Sequence, residues 1–247
     1  MSGAQGEGHT VPAMSQIEEL VREVPGWTPL DQLHTLFTLA LATSGLPGDL
    51  VEVGSWCGRS AVVLGLAARL TGETRVRCVD LFPEWRDWSQ NPDGTYSFEV
   101  VIDGRRYAGS AGGTIWKEVF EKQFAPVYQR HPAVLDSFRE TVSSRGMEGV
   151  VLAHRGDLAS LVAAAGPGFR CRLAFLDGDH GYEAVCADLA AVEGCLVAGG
   201  WICLDDAFTG YEGVSRAIRE RVLDSRRWEC GQQMTRKLFV ARRTAAS

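Results

Sequence analysis

DLVEVGSWCGRSAVVLGLAARLTGETRVRCVDL, residues 49–81, is the stretch that decides the fold. Asp49–Val53 is a short apolar run closed by Gly54, the pattern of a buried strand. Ser60–Leu70 carries no proline and reads as a helix. Arg75–Leu81 is a second apolar run, ending its strand at Asp80. Strand, glycine turn, helix, strand is a βαβ unit. Parallel strands cannot be joined by a tight hairpin, so the helix must cross back over the sheet.

The same alternation continues toward the C-terminus. Strands are expected at Val150–His154, Leu173–Leu176, Gly200–Leu204 and Lys237–Arg242. Helices are expected at Leu158–Ala165, Tyr182–Leu196 and Val214–Leu223. This predicts an α/β, doubly wound, mostly parallel sheet covered by helices on both faces. Upstream, Ser15–Val24 and Asp31–Ser44 read as helices, the second with Asp31 as its N-cap and its end at Gly45. Residues 1–47 are thus expected to be a polar, disordered tail followed by a helical cap, and 48–247 the main domain. Residues 83–149 break the rhythm, being far longer than a usual crossover. They hold Trp85, Trp88, Tyr96, Tyr107, Trp116 and Tyr128, with turn signals at Asp93-Gly94 and Asp103-Gly104. A hairpin followed by helices, placed as a lid above the sheet's carboxyl edge, is expected. Its tryptophans are suited either to stacking on a substrate or to packing the insertion onto the core. Arg226-Arg227-Trp228 reads as solvated surface.

Composition narrows the partners. Hydrophobic residues make up 45% of the 247, charged residues 23%, and the net charge is −6. That balance gives no general attraction to nucleic acid or to anionic lipid. No apolar run approaches the roughly 20 residues that span a bilayer, and no signal peptide is visible. The seven cysteines form no CxxC pair and read as buried reduced thiols. A cytosolic protein without a general affinity for nucleic acid or membranes is expected.

Acids collect at the strand ends: Glu52, Asp80, Asp157, Asp177 and the pair Asp205-Asp206. In open α/β sheets the ligand crevice lies outside the carboxyl ends of the strands. Carboxylates gathered there repel and lose solvation, so they call for a ligand, a cation or hydrogen-bond donors. Gly54 and Gly58 allow a tight turn, while Ser55 and Ser60 offer hydroxyls. The turn lacks the GxGxxG dinucleotide fingerprint. It suits a ligand with a cationic amino-acid end, and Asp80 is placed to accept ribose hydroxyls.

VEVGSWCGRS, CVDLF, HRGDLASLV, LAFLDGDHGYEAVCADLAAVEGCLVAGGWICLDDAF and GVSRAI resemble the class I S-adenosylmethionine-dependent methyltransferases. More narrowly, they are similar to the metal-dependent macrocin and mycinamicin sugar O-methyltransferase group. The resemblance covers roughly residues 48–82 and 150–240 and implies a Rossmann-like sheet of seven strands. It implies that Glu52, Gly54, Ser55 and Ser60 surround the methionine end of the cofactor. Asp80 would hold the ribose, and Gly156 and Asp157 would lie near the adenine. It further implies Mg²⁺ bound by Asp177, Asp205 and Asp206, with Asp177 also bordering the cofactor. His180 matches the proton acceptor of the sugar enzymes. Relatives often carry Glu-Asp where this chain has Asp205-Asp206. The expected function is a Mg²⁺-assisted O-methyltransferase acting on a sugar or natural-product intermediate, as a homodimer or higher homo-oligomer. An N-methyltransferase on an amino sugar and a non-catalytic cofactor-binding subunit remain alternatives. A dinucleotide oxidoreductase is disfavoured by the missing fingerprint.

Overall fold

The computed structural model describes residues 14–72, 74–109 and 114–245. The polar tail expected at residues 1–12 lies outside them. The apolar runs of the sequence become β1 (Asp49–Val53), β2 (Val76–Asp80), β6 (Val151–Arg155), β7 (Cys171–Leu176) and β8 (Leu196–Leu204). With β9 (Trp228–Gln233) and β10 (Phe239–Arg243) they form one seven-stranded sheet in the order β6-β2-β1-β7-β8-β10-β9. The first five strands are parallel, and β10 runs antiparallel to both its neighbours. Strand order reverses between β1 and β7. A Rossmann-like sheet places its crevice at that switch point.

Helices cover both faces, as a buried parallel sheet requires. On one side α1 (Met14–Val21), α2 (Leu30–Ala42), α3 (Arg59–Leu70) and α6 (Val134–Ser144) enclose a core around Leu36, Leu50, Leu64, Phe82 and Phe138. On the other, α7 (Leu158–Ala165), α8 (Tyr182–Cys195) and α9 (Glu212–Ala217) close over Val51, Leu158, Leu176, Leu189 and Ile218. Arg59 ties the N-terminal cap down, donating to the carbonyls of Val21, Val24 and Thr28. α2 begins at Leu30, so Asp31 lies in its first turn and bonds the adjacent Gln32 amide instead of capping the helix.

The long interval forms a second, three-stranded antiparallel sheet of β3 (Trp88–Gln90), β4 (Tyr96–Ile102) and β5 (Arg105–Ala108). Asp103 and Gly104 make the β4–β5 turn, both with positive φ, the conformation of a type I′ hairpin. A broken helix follows, α4 (Lys117–Val119), a π-helical turn Phe120–Phe124 and α5 (Ala125–Arg130). The aromatics of this insertion pack mainly on each other. Tyr96 stacks on Phe120 at 3.9 Å, and Trp88 meets Phe98, Phe120 and Phe124 edge-on. Phe124 in turn packs against Trp56 of the first glycine turn.

Two further sequence expectations need correction. Arg226-Arg227-Trp228 is not simply solvated: Trp228 is buried and opens the edge strand β9. β8 begins at Leu196 rather than Gly200, because Leu196 already pairs with Cys171 before a register shift. The cysteines are all free; five are buried and Cys230 is exposed. Among the described residues no helix is long and apolar enough to cross a membrane.

Candidate active site

Two groups of side chains meet at the carboxyl edge. The first surrounds the turn after β1. Gly54 has φ +84, and a Cβ there would run into the Asp177 carbonyl oxygen, so only glycine lets the turn touch the end of β7. Glu52 is fully buried, and neither carboxylate oxygen has an aligned hydrogen-bond partner. Burial pushes its carboxyl above the ordinary range, against weaker opposing pulls from Ser60, Ser55 and Cys78. The Ser55 hydroxyl is also buried and unpartnered, while Ser60 is buried at the start of α3. Buried polar atoms without partners are costly. Such a pair is chemically able to meet a ligand's donors.

Asp80 organises the neighbouring turns. Its Oδ2 accepts the Trp56 N–H at 2.8 Å and its Oδ1 the Phe82 N–H at 2.6 Å. Trp56 and Phe82 both adopt positive φ, strained for L side chains, and Asp80 holds both. Burial raises its carboxyl, opposed by these two bonds. Asp157 follows Gly156 after β6 and caps α7, its Oδ1 accepting the Ser160 N–H at 2.8 Å. Its Oδ2 pairs at 2.7 Å with Arg105, which the insertion's hairpin brings in. Gly156 has φ +152, and a Cβ there would press on the Ser160 hydroxyl.

The second group lies at the ends of β7 and β8. Asp177, His180 and Asp206 offer ligand atoms that all lie within 4.8 Å of one another. His180 Nε2 is 3.0 Å from Asp206 Oδ2, in contact but not aligned as a hydrogen bond. The imidazole stacks on Tyr211 at 4.1 Å and 21°. A Cβ at Gly213 would run into the His180 carbonyl, so the start of α9 braces the His180 loop. Burial and then the Asp205 charge push the Asp177 carboxyl well above its ordinary range. Asp206 also meets a burial penalty, but His180 and Lys237 outweigh it and hold its carboxyl low. Behind these groups a space of about 10 Å³, lined by Asp177, Asp179, His180, Asp188 and Asp205, is too small for a substrate.

Asp205 behaves differently from the other two acids. It is buried, and both its oxygens are engaged. Oδ1 accepts from Gln32 Nε2 at 2.7 Å and Oδ2 from Lys237 Nζ at 2.7 Å. Nothing local in the sequence singles out Lys237 or Tyr211 for this edge. Gln32 did carry a signal: it lies on the buried stripe of α2 with Leu36 and Ala40, where a polar residue needs a partner. Lys237 sits in a basic stretch, Arg236-Lys237, that resembles ordinary surface.

The residues expected near a cofactor therefore line β1, β2, β6 and β7 in adjacent positions, and those expected at a metal line β7 and β8. A family model described as "Methyltransferase domain" matches residues 51–207, more than half of the chain. Solved structures with a similar fold include the O-methyltransferase NovP, at 17% identity and TM-score 0.60, covering 89% of this chain and 84% of that one. An O-methyltransferase from Bacillus cereus in complex with SAH has 13% identity and TM-score 0.58, covering 95% and 93%. TomG, an O-methyltransferase from Streptomyces achromogenes involved in tomaymycin synthesis and solved with SAM, has 14% identity and TM-score 0.55, covering 96% and 91%.

Proposed function

This chain belongs to the methyltransferase-domain family, and on that premise we propose that it methylates a small-molecule hydroxyl with S-adenosylmethionine. The acceptor class is a sugar or a hydroxylated natural-product intermediate, by analogy with the macrocin-like group and with TomG. The observation that carries the cofactor assignment is the fully buried Glu52 carboxyl, whose neighbours Ser60, Ser55 and Cys78 offset only part of its burial penalty. An acid of that kind suits the ammonium or sulfonium end of the cofactor, whose binding would relieve the burial penalty. Asp80 keeps lone pairs beyond its two backbone bonds and is assigned the ribose hydroxyls. Gly156 and Asp157 are assigned the adenine side.

Bound there, S-adenosylmethionine supplies an already activated methyl group. The protein's part is to align the acceptor oxygen and take its proton. His180 is assigned that proton, and its buried Nε2, without an aligned hydrogen bond, supports the role. Tyr211 holds the ring by stacking, and Asp206 steadies the charge that the imidazole gains. Asp177 and Asp206, whose ligand atoms converge with that of His180, would suit a hard divalent cation with oxygen ligands. Such an ion, Mg²⁺ in this reading, would make a hydroxyl easier to ionise. Asp205 would contribute charge beside that ion. Residues 83–149 would wall the acceptor side, and a homodimer is the expected assembly.

A labelled-methyl transfer assay over a panel of hydroxylated sugars and phenols tests the proposal. EDTA should abolish turnover and Mg²⁺ restore it, with cofactor binding largely unchanged. Full activity in demonstrably metal-free protein would remove the cation from the mechanism.

A further inference from the structure

The acid edge already contains a cation. Lys237 is nearly buried, its side chain 12% exposed against 2% for Asp205. Its ammonium donates to Asp205 Oδ2 at 2.7 Å and stands 3.4 Å from Asp206 Oδ1. The position is fixed by the backbone as well, because the Lys237 carbonyl accepts the Ala207 N–H at 2.9 Å. Gln32 completes the arrangement by donating to the other Asp205 oxygen. Asp206 then bridges two partners, Lys237 through Oδ1 and His180 through Oδ2. Of the three acids at the ends of β7 and β8, one is hydrogen-bonded at both oxygens and a second has a side-chain contact at each, without any ion.

We propose that Lys237 is the resident counter-cation of this edge: it withdraws Asp205 from metal ligation and keeps divalent-ion affinity low. Two physical effects add. Each Asp205 oxygen is already held by a side-chain donor in a buried setting, so an ion would have to compete with Lys237 and Gln32 for its lone pairs. A divalent ion near Asp206 would also face a fixed ammonium, a repulsion that low-dielectric surroundings strengthen. The ion is then held by Asp177 and Asp206 alone among the carboxylates and exchanges readily with solvent. The proposal rests on the assignment of this edge as the cation site, but it concerns what limits affinity there.

The test is Mn²⁺ binding to the full chain, followed by the electron paramagnetic resonance signal of free Mn²⁺, in wild type, Lys237→Met and Lys237→Arg. Lys237→Met should bind Mn²⁺ about tenfold or more tightly than wild type, since removing an adjacent like charge is worth at least that much. Lys237→Arg, which keeps the charge, should stay near wild type. In the absence of metal Lys237→Met should melt lower, and Mn²⁺ should close that gap. If Lys237→Met does not fold, Lys237→Gln keeps a donor for Asp205 and gives the same comparison. Equal or weaker binding in the neutral variants, alongside measurable wild-type binding, would overturn the proposal and leave the cation site standing. No binding in any variant would overturn both.

Discussion

The two halves of the carboxyl edge handle buried negative charge in opposite ways. Around β1, β2 and β6 the acids either have no aligned partner or are held by backbone. Glu52 has only weak neutral neighbours, Asp80 accepts two main-chain amides, and Asp157 caps a helix with one oxygen and meets the exposed Arg105 with the other. Around β7 and β8 the acids are answered by side chains: Lys237, Gln32 and His180. Backbone donors are fixed by the fold and cost no reorganisation when a ligand arrives. Side-chain donors can rotate away and be replaced. On the proposed assignment the first half would hold one ligand in one place, and the second would exchange partners during the reaction.

The largest effect should come from the exchanging half. His180→Ala should lower turnover by about two to four orders of magnitude, the usual contribution of a positioned base. Cofactor binding should be nearly unchanged, because His180 touches Asp206 and Tyr211 rather than the β1 turn. Separate measurement of turnover and of cofactor affinity checks the division. A parallel loss of both would merge the two halves into one coupled site.

A smaller effect concerns Asp188, which lies between the halves. Burial first, then the charges of Asp157 and Asp179, pushes its carboxyl up to about 7. The folded protein therefore retains a proton that the unfolded chain has already lost, and stability falls as pH rises from about 4 to about 7. Asp188→Asn removes this slope. It should stabilise the protein at pH 7–8 by on the order of 2 kcal/mol, allowing for partial exposure. Near pH 4 it should make little difference. Chemical denaturation across that range reads the effect directly, and a pH-independent difference would mean that Asp188 is not the titrating group.

The smallest effect belongs to the contact that brings the insertion onto the first half. Arg105 is mostly exposed, so Arg105→Ala should change stability by no more than about 1 kcal/mol. If the hairpin acts as a cover over the Asp157 side, limited proteolysis within residues 86–109 should nevertheless accelerate in the variant. Unchanged cleavage would make the insertion a fixed wall.

The fixed half was far easier to read from sequence than the exchanging half. Glu52, Gly54 and Asp80 sit within a single βαβ unit, where local pattern dictates which residues reach the edge. The strand ends at Asp177 and Asp205-Asp206 were equally plain. Their partners were not, because Gln32 and Lys237 reach Asp205 from 173 and 32 residues away. Only the packing of α2 and the β8–β10 pairing brings them there. The edge strand β9 also escaped notice: its sequence WECGQQ is buried only at Trp228, so no alternation of apolar residues reveals it. The insertion's hairpin was marked by Asp103-Gly104, whereas its aromatics gave no sign of whether they face a ligand or each other.

Calorimetric titration with S-adenosylhomocysteine tests the central claim most directly. Wild type and His180→Ala should bind it alike at one site per chain, and Asp80→Ala should bind more weakly by about 1–3 kcal/mol, the cost of losing a charged hydrogen-bond partner. NADH should not bind. Binding of NADH without S-adenosylhomocysteine, or an affinity for S-adenosylhomocysteine that Asp80→Ala leaves intact, would contradict the placement of the cofactor at the β1–β2 edge.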